Sequence, residues 1–120
     1  MDIYDHLAAD GRLSFLPREA VEIFEGCFDL RLLELRPGET FDAAGRLCYL
    51  LRGAGGVGER PVAPGTFFGV DRDRAERFTA ASDCAQLLWD ADVLSHVCYR
   101  ACWFHVRLLN EINIDKPPEP

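Results

Sequence analysis

Apolar and polar residues change their spacing twice along this chain. Within residues 1 to 12, Ile3, Leu7 and Ala8 fall on one side of a helix that Gly11 stops. A second amphipathic segment runs from Leu16 to Phe24. Pro17 suits its first turn, Glu19 and Glu22 favour the N-terminal end, and Ala20, Val21 and Phe24 share a face. Gly26 is expected to close it.

From Asp29 the spacing is that of strands. Leu30, Leu32, Leu33 and Leu35, interleaved with Arg31, Glu34 and Arg36, predict a strand ended by the turn dipeptide Pro37-Gly38. Glu39, Thr40 and Phe41 form a short strand, Asp42 to Gly45 a loop, and Leu47 to Leu51 an almost unbroken apolar strand. Gly53, Gly55, Gly56 and Gly58 predict a hairpin turn, and Val62 opens a brief strand cut by Pro64-Gly65. Phe67 and Phe68 are bulky β-formers followed by Gly69, then by the charged run Asp71 to Arg77. Strands return at Phe78 to Ala81 and at Ala85 to Trp89, around the turn pair Ser82-Asp83. Short strands punctuated in this way predict a closed or sandwiched all-β body. The charged run either frames a ligand pocket or is a solvated connection.

At Asp90 helical spacing returns and predicts one long helix to Asn113, capped by Asp90 or Asp92. Val93, Leu94, Val97, Cys98, Ala101, Phe104, Leu108 and Ile112 form the stripe expected to pack on the strands. Tyr99, Trp103 and Val106 form a second line. Those side chains either meet the same helix of another subunit as a dimer interface or lie under a covering loop. Residues 1 to 115 read as one domain and 116 to 120, rich in proline, as a disordered tail.

Composition narrows the function. Thirteen basic against twenty acidic residues give a net charge of −7, so the field repels nucleic acid and anionic membranes. The N-terminus has no secretory pattern, and no apolar run reaches membrane-spanning length, which together imply a cytoplasmic protein. Five cysteines, Cys27, Cys48, Cys84, Cys98 and Cys102, are an odd number without a C-x-x-C pair and argue for reduced thiols over a disulfide framework. The histidines His6, His96 and His105 all fall outside the predicted strands, against a cupin-type metal enzyme. Nucleophile-elbow, phosphate-loop and dinucleotide fingerprints are absent, and no cofactor or enzymatic activity is expected. Cys98, Cys102 and His105 share a helical face and are low-ranking candidates for a metal or redox site. The blander reading is small thiols in the seam between helix and strands, with His105 hydrogen-bonded nearby.

The order of these features resembles the effector domain of the Crp/Fnr regulators over about residues 15 to 112. Gly38, Gly53, Gly65 and Gly69 match that family's turn glycines, and Ala91-Asp92-Val93-Leu94 the start of its helix. The segment Cys98 to Leu108 also looks like the helix of a bacterial subset. The resemblance implies a mainly β, double-stranded β-helix (jelly-roll) barrel of the cyclic-nucleotide-binding kind, with N-terminal helices and a long C-terminal helix. It also implies a ligand-sensing domain of a regulator lacking its DNA-binding domain, either a fragment of a longer regulator or a natural short form. Ligand-binding positions would be Phe68, Gly69, Val70, Arg74 and Arg77. Phe68-Gly69 matches the family pattern, but Val70 stands where a ribose-binding glutamate belongs. Arg74 falls at the phosphate-binding arginine of a shortened segment, and Glu76 and Arg77 replace small and hydroxyl residues. Glu76 would repel a phosphate and could pair with Arg72 or Arg74. The expected effector is therefore a small molecule other than cyclic AMP or cyclic GMP. The alternative is a ligand-free interaction or dimerisation barrel.

Overall fold

Two short helices lead into the strands. The computed structural model describes residues 2–73, 76–95 and 102–114. Helix α1 (Ile3–Ala9) begins with a reciprocal cap, in which Asp5 N–H donates to Asp2 and Asp2 N–H to Asp5, at 3.0 and 3.2 Å. Helix α2 (Arg18–Phe28) starts behind Pro17 and buries Ala20, Val21, Phe24 and Phe28. It runs through Gly26, contrary to the expected stop, and ends at Asp29 in the left-handed region (φ 52°). Burial of Phe28 one turn beyond Phe24 outweighs the small helix penalty of an exposed glycine.

Among the described residues eight strands follow: β1 (Arg31–Leu35), β2 (Thr40–Asp42), β3 (Arg46–Arg52), β4 (Gly55–Val57), β5 (Arg60–Val62), β6 (Phe67–Gly69), β7 (Arg77–Ala80) and β8 (Cys84–Asp90). They form two four-stranded antiparallel sheets, ordered β1-β8-β3-β6 and β2-β7-β4-β5. The first sheet is covered on both faces, which explains why β3 and β8 read as continuous apolar runs. Cys48, Leu50, Phe68, Cys84 and Leu88 face the second sheet, while Leu47, Tyr49, Phe67, Leu87 and Trp89 face the helices. The second sheet has one wet face, and β7 alternates accordingly: Phe78 and Ala80 are buried, Arg77 and Thr79 exposed.

The C-terminal segment differs from its expectation. Strand β8 continues to Asp90, whose carboxylate accepts from Asp92 N–H at 3.0 Å and starts a 3₁₀ turn over Ala91–Leu94. Cys102 is extended (φ −56°, ψ 126°), and helix α3 spans Trp103–Glu111. The described residues therefore do not form one helix from Asp90 to Asn113. The Val93 carbonyl instead accepts from the His105 ring at 2.8 Å, and two short pieces bury Val93, Phe104 and Leu108 of the expected stripe. Phe104 and Leu108 pack with Phe24 and Trp89, the Phe24 and Phe104 rings meeting edge-on at 5.7 Å. Ile114 forms a parallel bridge to Phe67 on the outer edge of β6. No described helix is long and apolar enough to cross a membrane.

Candidate functional site

The corner after β6 carries the predicted ligand positions. Gly69 sits at φ +91° at the point where the 43–46 turn presses on the strand. A Cβ there would lie 2.6 Å from the Arg46 carbonyl oxygen and 2.8 Å from that of Ala43. Only glycine fits both demands, and the space that glycine opens is filled by the chain's own backbone. Val70 follows at φ +81°, an outlier for a β-branched residue, held by its N–H donating to the Arg46 carbonyl at 2.7 Å.

Below this corner the space between the sheets is packed with rings. Phe68 and Phe78 stack at 5.3 Å with an interplanar angle of 27°, and Phe41 lies 5.4 Å from Phe78 and 6.2 Å from Phe68. Cys48, Leu50, Val57, Val62 and Leu88 complete the layer. Burial pushes the Cys48 thiol well above its ordinary range, so it packs as a small apolar group and not as a nucleophile.

Next to the rings, Glu76 is 3% exposed and its carboxylate accepts from Arg60 on β5 at 2.6 Å. The Glu76 carbonyl accepts from Ala43 N–H at 2.7 Å, so this residue also ties the loop to the turn beside Gly69. Arg60 was not singled out from the sequence, and its pairing with a residue sixteen positions away leaves no local signal. The expected pairing of Glu76 with Arg72 is not formed. Arg72 lies over Gly45 and reaches Asp92 at 3.3 Å and Asp90 at 3.8 Å, largely in solvent. Of the remaining ligand positions, Arg77 points away from the interior and donates to Thr40 Oγ1 at 3.1 Å on the wet face. Arg74 lies outside the described residues, as do Cys98 and Tyr99. The structure therefore brings Phe68, Gly69 and Val70 together and separates Arg77 from them.

His105 is buried, with its ring edge-on to Phe24 and Phe28 at 5.5 and 5.3 Å and Nε2–H donating to Val93. Cys102 is half-buried one turn earlier. Among the described residues no three His, Cys, Asp or Glu side chains group as metal ligands. Trp103 and Val106 are 56% and 45% exposed on the outer side of α3.

A solved structure from Geobacter metallireducens GS-15, provisionally named a cyclic nucleotide-binding protein, matches with a TM-score of 0.61 at 16% identity, over 92% of each chain. The chain has a cyclic nucleotide-binding-like fold. A weaker likeness, with a TM-score of 0.40, extends to cAMP-bound PfPKA-R (141–441), at 16% identity over 79% of this chain and 46% of that one. The same score links it to the regulatory subunit of a cAMP-independent protein kinase A from Trypanosoma brucei, at 15% identity over 87% and 49%. This chain spans about half the length of each of these two. No protein-family profile and no curated protein matches the sequence.

A cavity of this cyclic nucleotide-binding-like fold lies on the helix side of the first sheet. It measures about 780 Å³ and is lined by Asp10, Arg12, Tyr49, Gly65, Arg107 and Glu111 among others. Several of its polar groups already hold one another. Tyr49 donates to Asp10 at 2.7 Å, and Arg12 donates to the carbonyls of Gly65 and Glu111 at 2.6 and 2.5 Å while lying over the Phe67 ring. Burial, and then the bond to Asp10, pushes the Tyr49 phenol far above its ordinary range. Arg12 thus fastens the end of α3 to the turn that feeds β6, which is a structural role.

Proposed function

We propose that this chain is a cytoplasmic, non-catalytic regulatory domain of a Crp/Fnr-like transcription regulator, with its cyclic-nucleotide position closed by its own side chains. One observation carries the reading: the interior beside Phe68-Gly69 holds the Phe41, Phe68 and Phe78 rings and the buried Glu76 carboxylate. A cyclic phosphate placed there would meet a second negative charge in a poorly solvated site and would have to displace packed rings. The carboxylate already holds Arg60, so no ligand anion is needed to satisfy that guanidinium. Titration calorimetry with cyclic AMP and cyclic GMP is the test. The reading predicts no binding heat at millimolar ligand, and a micromolar affinity for either nucleotide overturns it.

Output through a second copy is the other half of the proposal. Trp103 and Val106, with Tyr99 in the preceding segment, would form a self-complementary patch across a two-fold axis. Light scattering should give a dimer that Trp103→Asp converts to a monomer without loss of fold. A strict monomer at high concentration defeats this part. The filled interior also favours a second reading, a ligand-free interaction barrel, in which the same patch binds a different protein. Nucleic-acid and membrane binding by this segment are not part of either reading, in keeping with its net charge of −7.

A further inference from the structure

A second cleft lies where the two sheets fail to meet. Strand β1 is the edge of one sheet and β2 the edge of the other, and the cleft between them measures about 490 Å³. That volume is within the roughly 300–1,000 Å³ typical of small-molecule sites. Three of its lining side chains, Leu33, Phe41 and Leu88, belong to the apolar layer between the sheets. Leu33 and Phe41 are only half-buried although both belong to inward-facing positions, so the interior opens to solvent between these two edges.

The rim adds charge. Arg31, Arg46 and Asp42 line the cleft, two cations against one anion in a chain of net charge −7. Arg31 is held by Asp29 at 3.0 Å, and the Asp42 carboxylate accepts from Ala44 N–H at 3.0 Å. The Arg46 guanidinium has no hydrogen bond or ion pair with any described residue, although Arg46 is half-buried at the start of β3. An uncommitted, half-buried guanidinium beside an apolar opening is matched by a ligand with one anionic end and one hydrocarbon end.

We propose that this cleft binds an anionic amphiphile of the medium-chain carboxylate class, its chain between Leu33, Phe41 and Leu88 and its carboxylate on Arg46. The ligand enters from the β1 and β2 edges, and neither Phe68 nor Gly69 lines the cleft. This deepens the regulatory reading by naming an effector class, yet binding is measurable without any regulatory output. Its failure leaves the closed nucleotide position intact, and a nucleotide that bound would leave the cleft intact.

The experiment is calorimetry and amide-shift mapping of the full chain with decanoate below its micelle concentration, with decanol as the uncharged control. Saturable one-to-one binding is expected, with shifts centred on Leu33, Phe41, Arg46 and Leu88. Arg46→Gln should weaken decanoate at least about tenfold, the loss of one charge-assisted bond, and leave decanol unchanged. Because the Arg46 side chain has no partner to lose among the described residues, that variant is expected to keep its fold. Arg107→Gln, on the far side of the first sheet, should bind as the parent does. Non-saturable uptake, shifts elsewhere, or equal affinity in Arg46→Gln overturns the assignment.

Discussion

Replacing Gly69 with alanine isolates the close approach that closes the corner after β6. Two costs are expected. An L-residue at φ +91° pays about 1–2 kcal/mol for its left-handed backbone, partly offset by about 0.4–1 kcal/mol from a less flexible unfolded chain. The second cost is steric, because the new methyl would sit 2.6 and 2.8 Å from two backbone oxygens that cannot swing aside as a side chain could. Relief requires moving the 43–46 turn, at about 1–3 kcal/mol for overpacking and about 1 kcal/mol for the 2.7 Å bond from Val70 N–H to Arg46. Gly38→Ala is the internal control, since Gly38 has nearly the same φ of +88° with nothing within 4 Å of its Cβ position. The difference between the two variants is then the steric cost alone, about 2–4 kcal/mol. Urea unfolding followed by tryptophan fluorescence, in which Trp89 is the buried reporter and Trp103 the exposed one, measures it. If Gly69→Ala and Gly38→Ala agree within about 0.5 kcal/mol, the corner has spare room and the closed-site reasoning fails.

Three further outcomes follow from the buried groups on the two sides of the first sheet. Arg60→Ala should cost about 2 kcal/mol by stripping a partner from the 3%-exposed Glu76 carboxylate, a value reduced because Arg60 itself is one-third exposed. Arg60→Met with Glu76→Met should recover most of that loss in the same denaturation assay. Phe78→Ala should cost about 3–5 kcal/mol, because it removes the ring stacked on Phe68 at 5.3 Å, and a loss below about 1 kcal/mol would mean that the ring layer is loose. Stability should also fall in alkali. Burial raises the Cys48 thiol and Tyr49 phenol above their ordinary values of 9.0 and 10.0, so the unfolded chain gives up these protons first. Their contribution is full below about pH 8 and is lost progressively as pH rises past those ordinary values toward the raised ones. Tyr49→Phe should flatten the upper part of that decline and cost about 1 kcal/mol at neutral pH through the lost bond to Asp10.

Much of this architecture was legible wherever the pattern was carried by large side chains. The strands at Leu30 to Leu35, Leu47 to Leu51 and Ala85 to Trp89 lie within one or two residues of β1, β3 and β8 because leucine and aromatic residues alternate with polar ones or run almost unbroken there. Gly55 and Gly56 were read as turn residues and are strand β4 instead. Their propensity is poor, but a Cβ on Gly55 would collide with the Phe78 ring and one on Gly56 would lie 2.6 Å from the Arg60 carbonyl, so the neighbouring strands require glycine there. The Asp90 to Asn113 stripe had a true helical period, yet periodicity says nothing of a 3₁₀ break sealed by a His105 side chain twelve residues on. Phe68-Gly69 was recognisable as a corner. That Gly69 receives its own 43–46 turn, and that Glu76 binds Arg60 and not Arg72, depends on contacts between distant segments that no local pattern records.

The most direct measurement is a crystal structure of the chain grown in millimolar cyclic AMP. It should show Phe41, Phe68 and Phe78 in contact, Glu76 on Arg60, and no nucleotide beside Gly69. Density for a nucleotide at that corner, with Phe78 displaced or the Glu76 carboxylate turned out to solvent, would contradict the account.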